Sequence, residues 1–341
     1  MNLTMTTLPN TPDFTQQLAP LRHQVDAALE SLWQRLHHQH AQRWAHLPQT
    51  TVGMVAPLWE GLRYVTTQGG KRFRPLLCLA TAHTVVSQPA TASPWPHANV
   101  AMGLALALEL IHVQSLILDD LPALDNDELR RGQPTLHVVQ GEAMALMAAD
   151  ALALLAPSVL VRWGDTAADT LPETLAANAM RVIERLGLLA SVDGLVNGQV
   201  ADLLAEQHPE TTPPEATLAY IHANKTGALL EAACVLPAVL LGASSQQQGA
   251  FTAYGRALGL LFQATDDWLD AKGDAATLGK TLGKDAEAGK LTLWQVYPTD
   301  EAFKTHVASL ATEAQAALAS LQGCDTSLLQ GFITYGWQRC H

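Results

Sequence analysis

The sequence predicts an all-α fold, a single large helical bundle domain, on three observations. Of its 341 residues 48% are hydrophobic but only 6% aromatic, and Ala and Leu dominate while strand-forming runs of Val, Ile, Thr and Tyr are scarce. Apolar residues recur at spacings of three and four, as on one face of a helix. The polar breaks between apolar runs are short, no break marks a domain boundary, and no repeat recurs at a fixed short period. Residues 1–12 read as a disordered tail and 13–341 as the single domain.

The elements follow in order. A helix is expected from Phe14 to about Trp44, with Leu18, Leu21, Val25, Leu29, Leu32 and Leu36 along one stripe. Its His37-His38-Gln39-His40 run reads as a solvated helix end rather than a metal site, because no carboxylate or Cys ligand lies nearby in sequence. Ser87–His97, Gly164–Glu173, Glu206–Glu215 and Ala243–Gly249 read as loops. Ala101–Leu118 is expected to be continuous helix. Ala143–Val161 and Gly227–Ala243 are apolar enough to test as membrane spans. Asp150 and Pro157 interrupt the first, Glu231 and Pro237 the second, and neither gives the roughly 20 clean apolar residues a span needs. Both read as buried core helices, so no transmembrane segment is expected.

The net charge of −12 argues against nucleic acid as a partner. It leaves an anionic small substrate open, since local cations and metal ions outweigh the global field. Cys78, Cys234, Cys324 and Cys340 show no CxxC or CxxH spacing, which argues against structural zinc and fits a reduced, cytoplasmic setting. The N-terminal residues carry no signal-peptide pattern.

Two aspartate groups interrupt apolar helical stretches: Asp119, Asp120 and Asp125 in DDLPALD, and Asp266, Asp267 and Asp270 in DDWLD. Clustered carboxylates repel, the more so when desolvated, and an all-oxygen set suits Mg²⁺ completed by water and phosphate oxygens. Two such groups suggest two walls of one metal–phosphate site. Asp266 and Asp270, four apart, share a helix face with Gln263, whereas Asp267 points about 100° away; a plain acidic surface is the competing reading. Asp119 and Asp125 are six apart with Pro122 between them, so an unwound turn is expected to bring Asp125 back toward Asp119. Asp119 also falls at the negative end of its helix, where a carboxylate calls for a counter-ion.

Cations concentrate around these groups. Arg130 and Arg131 follow the first and suit diphosphate oxygens, or else simply pair with Asp127 and Glu128. Gly69-Gly70-Lys71-Arg72-Phe73-Arg74-Pro75 combines two glycines with three cations, without P-loop spacing. Lys225-Thr226-Gly227 comes later, then Lys280, Lys284 and Lys290 near Gly279 and Gly283.

The stretch LELIHVQSLILDDLPALDNDELRRGQPTLH (108–137) closely resembles the first aspartate-rich region of trans-isoprenyl diphosphate synthases. GGKRFRP, GQVADL, KTGALLEAA, FQATDDWLDAKGDAATLGK and GKDAEAGKLT resemble that family's other motifs in the expected order, from about residue 55 to residue 295. The DDxxxxD form of the first is most like bacterial farnesyl diphosphate synthases and their geranylgeranyl-forming relatives. The resemblance implies an isoprenoid-synthase bundle with a central cavity and a prenyltransferase that condenses isopentenyl diphosphate with dimethylallyl or geranyl diphosphate. It implies three Mg²⁺ per active site, with Mn²⁺ able to substitute, and a homodimer. It makes Asp119, Asp125 and Asp266 the main metal ligands, supported by Asp120 and Asp270. Lys71, Arg74, His112 and Arg131 would bind isopentenyl diphosphate; Arg130, Lys225, Thr226, Gln263 and Lys280 would hold the allylic diphosphate or the cation, and Lys290 also matches a family position. A lone His in an apolar helix is ordinarily a core residue, but His112 lies seven before Asp119, two turns away on nearly the same face. Leu118 and Trp294 depart from the family pattern, and neither removes a charge.

Gln114 and Ser115, five and four positions before Asp119, are expected to set the floor of the tail cavity. Neither is aromatic. The C15 product, farnesyl diphosphate, is the favoured expectation, with geranylgeranyl and then geranyl diphosphate as rivals. A terpene cyclase would replace the second aspartate group and need no GGKRFRP. A non-catalytic regulatory subunit would lose aspartates that this chain keeps.

Overall fold

The computed structural model describes residues 11–87, 98–162, 173–208, 214–272 and 291–338. Those residues are helical almost throughout, as expected, with one small hairpin. They are described below as two compact units, one built on Leu18–Leu76 and His97–Asp169, the other on Met1–Gln17, Leu77–Pro96 and Thr170–His341.

The first unit holds most of α1 (Thr11–Arg43), α2 (Gln49–Gly53), α3 (Ala56–Thr67), the start of α4 (Phe73–Val86), α5 (Ala98–Asp119), the hairpin β1 (Leu129–Arg130) and β2 (Gln133–Pro134), α6 (Leu136–Gln140) and α7 (Glu142–Arg162). The main packing is α5 against α7. Ala105 and Ala107 of α5 and Ala145, Ala148, Ala149 and Ala156 of α7 are almost fully buried, and such small side chains let helices approach closely. Leu104, Leu106, Leu108 and Leu110 are wholly buried, each worth about 2 kcal/mol of apolar transfer. Helix α1 starts at Thr11, inside the segment expected as tail.

The second unit centres on α11 (Gly227–Leu240), every residue of which is buried. A helix apolar on all sides belongs in a core, so this expectation is met. Around it lie α8 (Glu173–Ala190), α9 (Leu195–Gln207), α10 (Pro214–Ile221), α12 (Ser245–Lys272), α13 (Leu293–Val296), α14 (Asp300–Ala319) and α15 (Ser327–Gln338). Helix α11 meets α12 backbone to backbone: a Cβ on Gly255 would lie 2.8 Å from the Glu231 Cα, and one on Gly259 2.9 Å from the Gly227 Cα. The sole carboxylate of α11, Glu231, accepts from Arg256 Nε at 2.7 Å and Arg185 Nη2 at 3.2 Å. Phe14 packs edge-on to Phe332 at 5.1 Å, in space that a Cβ on Gly331 would fill.

Two expectations are corrected. Ala243–Gly249 is not a loop, because α12 begins at Ser245. The polar run is a capping box: the Gln247 N–H donates to Ser244 Oγ at 3.3 Å, and the Ser244 N–H donates to Gln247 Oε1 at 2.9 Å. Helix α7 is not a fully buried core helix. Helices 99–119 and 142–162 are both long and apolar enough to cross a membrane by length and composition; 72% of the apolar window of the first is buried within the protein, but only 39% of the second. Met147 and Leu154 of α7 are 58% and 70% exposed.

Candidate active site

Helix α5 ends at Asp119 and the chain then tightens. The Leu121 N–H donates to the Leu118 carbonyl at 3.1 Å, the Asp125 N–H to the Asp119 carbonyl at 2.9 Å, and the Asn126 N–H to the Leu121 carbonyl at 3.1 Å. Asn126 adopts φ +49°, a left-handed conformation that Asn tolerates. This is the expected unwound turn, and it carries Asp125 back beside Asp119. The loop continues into the hairpin, whose central residues Arg131 and Gly132 both have positive φ, +55° and +76°, as a tight two-residue hairpin turn demands. Sequence inspection missed the hairpin; the Arg-Gly pair was its only signal.

The hairpin aims the two arginines in different directions. Arg130 donates through Nε to Asp120 Oδ1 at 2.9 Å and through Nη2 to the same oxygen, with Asp127 Oδ2 at 3.4 Å. Asp120, expected among the supporting metal ligands, is buried and has an arginine partner here. Burial raises its pKa while Arg130 works against that shift. Arg131 donates to the Gly69 carbonyl, and its guanidinium lies where a Cβ on Gly70 would be, 2.6 Å from Nη1. The two glycines of GGKRFRP, with φ +79° and +134°, thus admit Arg131 against the backbone.

His112, two turns up α5, sits in the field of these cations. Burial pushes its pKa well below the ordinary value, and Arg74, Arg131, Arg130 and Arg72 push it further, so the imidazole is neutral at pH 7. A neutral His in the field of four guanidinium groups fits a region suited to an anion. Lys71 and Arg74 flank buried Arg72 in the same unit, so the first unit holds Lys71, Arg74, His112, Arg131, Arg130, Asp119, Asp120 and Asp125 together.

The second unit holds Lys225, Thr226, Gln263, Asp266 and Asp270. Lys225 and Thr226 lie on a π-helical turn, His222–Thr226, and such turns are frequent at functional sites. Gly198 makes room for it, since a Cβ there would fall 2.0 Å from the Lys225 nitrogen. Asp202, one turn on, accepts from Lys225 Nζ at 2.6 Å. The GQVADL motif is therefore a rest for the lysine turn, a role the sequence reading did not assign. Thr226 Oγ1 donates to Gln263 Oε1 at 2.7 Å, and Gln263 Nε2 donates to Asp267 Oδ1 at 2.9 Å. Asp267 Oδ2 in turn accepts from the Leu293 N–H at 2.9 Å. Asp267, turned away from Asp266 and Asp270 as helical geometry requires, is a buried anchor for α13. Trp294 donates to the Asp267 carbonyl at 3.3 Å and stacks on Phe303 at 4.7 Å. Lys280, Lys284 and Lys290 lie outside the described residues.

His222 has its Nε2 3.9 Å from Asp267 Oδ2. Burial lowers its pKa to about 4, against an upward pull from Asp202. Below the ordinary value near 6.5 the unfolded chain takes the proton and the folded one does not. Stability contributed by the neutral ring is therefore complete above about pH 6.5 and falls toward pH 4, by up to roughly 1.4 kcal/mol per pH unit. Urea denaturation across that range should show a steeper acid loss for the wild type than for His222→Asn; parallel curves would contradict the assignment.

The donor set suits Mg²⁺. Among the described residues no three His, Cys, Asp or Glu side chains converge on a closed metal cage. Mg²⁺ needs none, being held by one or two carboxylates with water and substrate phosphate completing the shell, and Asp119 with Asp125, or Asp266 with Asp270, offers such a pair.

Fold and residues together define an all-α protein of the isoprenoid-synthase type, with carboxylate pairs and cations of the kind that handle diphosphates. Residues 56–322 match the family described as Polyprenyl synthetase, and the chain belongs to that family. It is 43% identical over 234 residues, 68% of its own length, to "Geranylgeranyl pyrophosphate synthase 10, mitochondrial" of Arabidopsis thaliana, and spans 63% of that relative. It is 38% identical over 314 residues, 92% of its length, to a dimethylallyltranstransferase of Fischerella ambigua, of which it spans 79%. Among solved structures it resembles an FPP/GFPP synthase from Zymomonas mobilis, with TM-score 0.68 and 29% identity, covering 92% of this chain and 99% of that one. A geranyltransferase from Legionella pneumophila gives TM-score 0.67 at 28% identity, covering 96% and 97%.

Proposed function

We propose that this chain is a short-chain trans-prenyltransferase, joining isopentenyl diphosphate to dimethylallyl or geranyl diphosphate with release of diphosphate. The observation that carries this reading is the pairing of a carboxylate turn at Asp119 and Asp125 with the neutral His112 in a field of arginines. Mg²⁺, when bound, supplies charge neutralisation of the departing diphosphate. Asp119 and Asp125 would hold it on the first unit and Asp266 on the second, with Asp120 and Asp270 in support through water or directly. Arg130, Lys225 and Lys280 stabilise the diphosphate as its C–O bond ionises to an allylic cation. Thr226 and Gln263 hold that substrate, and Lys290 completes the set. Lys71, Arg74, His112 and Arg131 place isopentenyl diphosphate so that its double bond attacks the allylic C1. A proton then leaves the new cation, taken by the diphosphate just released. Incubation of the purified chain with Mg²⁺ and both C5 diphosphates tests this directly; absence of diphosphate release would refute it.

We propose farnesyl diphosphate as the product. A second reading, geranylgeranyl diphosphate, is favoured by one observation: Ser115 is small and its Oγ turns back to the His112 carbonyl at 2.9 Å, so no bulk fills that position. Gln114 then forms the remaining floor. Ser115→Phe should shorten the main product by at least one C5 unit on chromatography, whichever length the wild type makes; an unchanged product would place the floor elsewhere.

A homodimer is part of the same proposal. The exposed apolar residues Val138, Val139, Leu146, Met147 and Leu154 on α6 and α7 support it, because a patch of this kind calls for a partner or a membrane. Asp150 within α7 favours the partner, and no membrane span is proposed. We propose a single domain, and a cytoplasmic location on the scattered cysteines without CxxC or CxxH spacing, although the Arabidopsis relative is named as mitochondrial.

A further inference from the structure

Arg72 is the middle cation of GGKRFRP, and the proposed reaction gives it no contact with substrate. It is nonetheless the most constrained residue of that loop. It has φ +48°, a conformation rare for a residue with a side chain. Such a conformation persists only where surrounding bonds over-determine it. Its guanidinium supplies those bonds to three separate elements: Nε to Asp26 Oδ1 of α1 at 2.8 Å, Nη1 to Glu109 Oε1 of α5 at 2.7 Å, and Nη2 to the Thr66 carbonyl at the end of α3 at 2.8 Å. The side chains of Arg72 and Glu109 are each 1% exposed. A second bond ties α1 to the same place, from Trp33 Nε1 to Thr66 Oγ1 at 2.7 Å, and Thr66 itself bonds the Leu62 carbonyl at 2.7 Å. Lys71 precedes Arg72 and Arg74 follows it by two. Fixing the Arg72 backbone therefore fixes where both neighbouring cations project.

We propose that Arg72, held by Asp26 and Glu109, is a positioning residue for the isopentenyl diphosphate cations Lys71 and Arg74, and that through Asp26 and Trp33 helix α1 is a working part of that subsite. Helix α1 lies outside the family match, which begins at residue 56. Catalytic groups misplaced by about an ångström lose rate steeply, and loosening this tripod displaces only one substrate's ligands. The inference rests on the prenyltransferase reading.

Steady-state kinetics on the full chain test it. Asp26 is 43% exposed on its side chain, so Asp26→Asn should fold. It should raise KM for isopentenyl diphosphate about fivefold while KM for dimethylallyl diphosphate and kcat stay within about twofold. Arg72→Lys keeps the charge but loses the planar fork, and should give a larger shift of the same kind, about tenfold. An unchanged KM for isopentenyl diphosphate in Asp26→Asn, or an equal rise for both substrates, overturns the proposal. A wild type without turnover would instead refute the reading on which it rests.

Discussion

Asp119→Ala is expected to reduce kcat/KM by roughly a thousandfold or more while leaving the fold intact, and Asp266→Ala to do the same. Each carboxylate is proposed to hold Mg²⁺ against the departing diphosphate, and removing one preorganised electrostatic element from a transition state costs about 10²–10³ in rate. Loss of a metal ligand would cost more, because the charge neutralisation that the ion would supply goes with it. Stability should change little. Asp119 ends α5, where a negative charge opposes the helix dipole, but the same charge attracts Arg130, so its removal gives up one term as it relieves the other. Circular dichroism with urea titration, measured beside turnover, separates the two effects. Near-normal turnover in either variant would refute the metal assignment, and unfolding would refute the claim that these carboxylates serve function rather than the fold.

Glu109→Ala is expected to give the largest loss of stability, about 3–5 kcal/mol. Arg72 would then keep a buried guanidinium whose Nη1 has lost its carboxylate, leaving the exposed Asp26 as its ion-pair partner. Burial pulls the Arg72 pKa down and Glu109 with Asp26 more than offsets this, so the guanidinium stays charged and cannot relieve the cost by losing its proton. Replacing both partners with apolar residues, Arg72→Met with Glu109→Leu, should recover most of the loss. The urea midpoint of each variant measures this. A loss below about 1 kcal/mol for Glu109→Ala would mean that water reaches the guanidinium and that the tripod is weaker than its geometry indicates.

How much of this was legible in the sequence depends on the kind of signal. Helix α11 and the end of α5 at Asp119 were readable because composition and period determine them. The return of Asp125 was readable because Pro122 forbids regular helix at that point. The start of α12 was not, since a run of Ser and Gln reads as loop until Ser244 and Gln247 are recognised as reciprocal caps. The half-exposure of α7 was hidden because it is apolar on all sides, a pattern that fits burial in a core and burial in a partner equally well. Within the candidate site, charge and motif order gave the residues that would face substrate. The residues that hold them were silent: Asp202 under Lys225, Asp267 between Gln263 and Leu293, and Arg72 among three helices are each defined by contacts across distant sequence.

The most direct test of the account is product formation from labelled isopentenyl diphosphate and unlabelled dimethylallyl diphosphate, with the metal removed by chelation and then restored as Mg²⁺. The account predicts a labelled prenyl diphosphate longer than C5, one diphosphate released per bond formed, no product after chelation, and recovery on adding Mg²⁺. Product that survives chelation, or none with Mg²⁺ present, would contradict it.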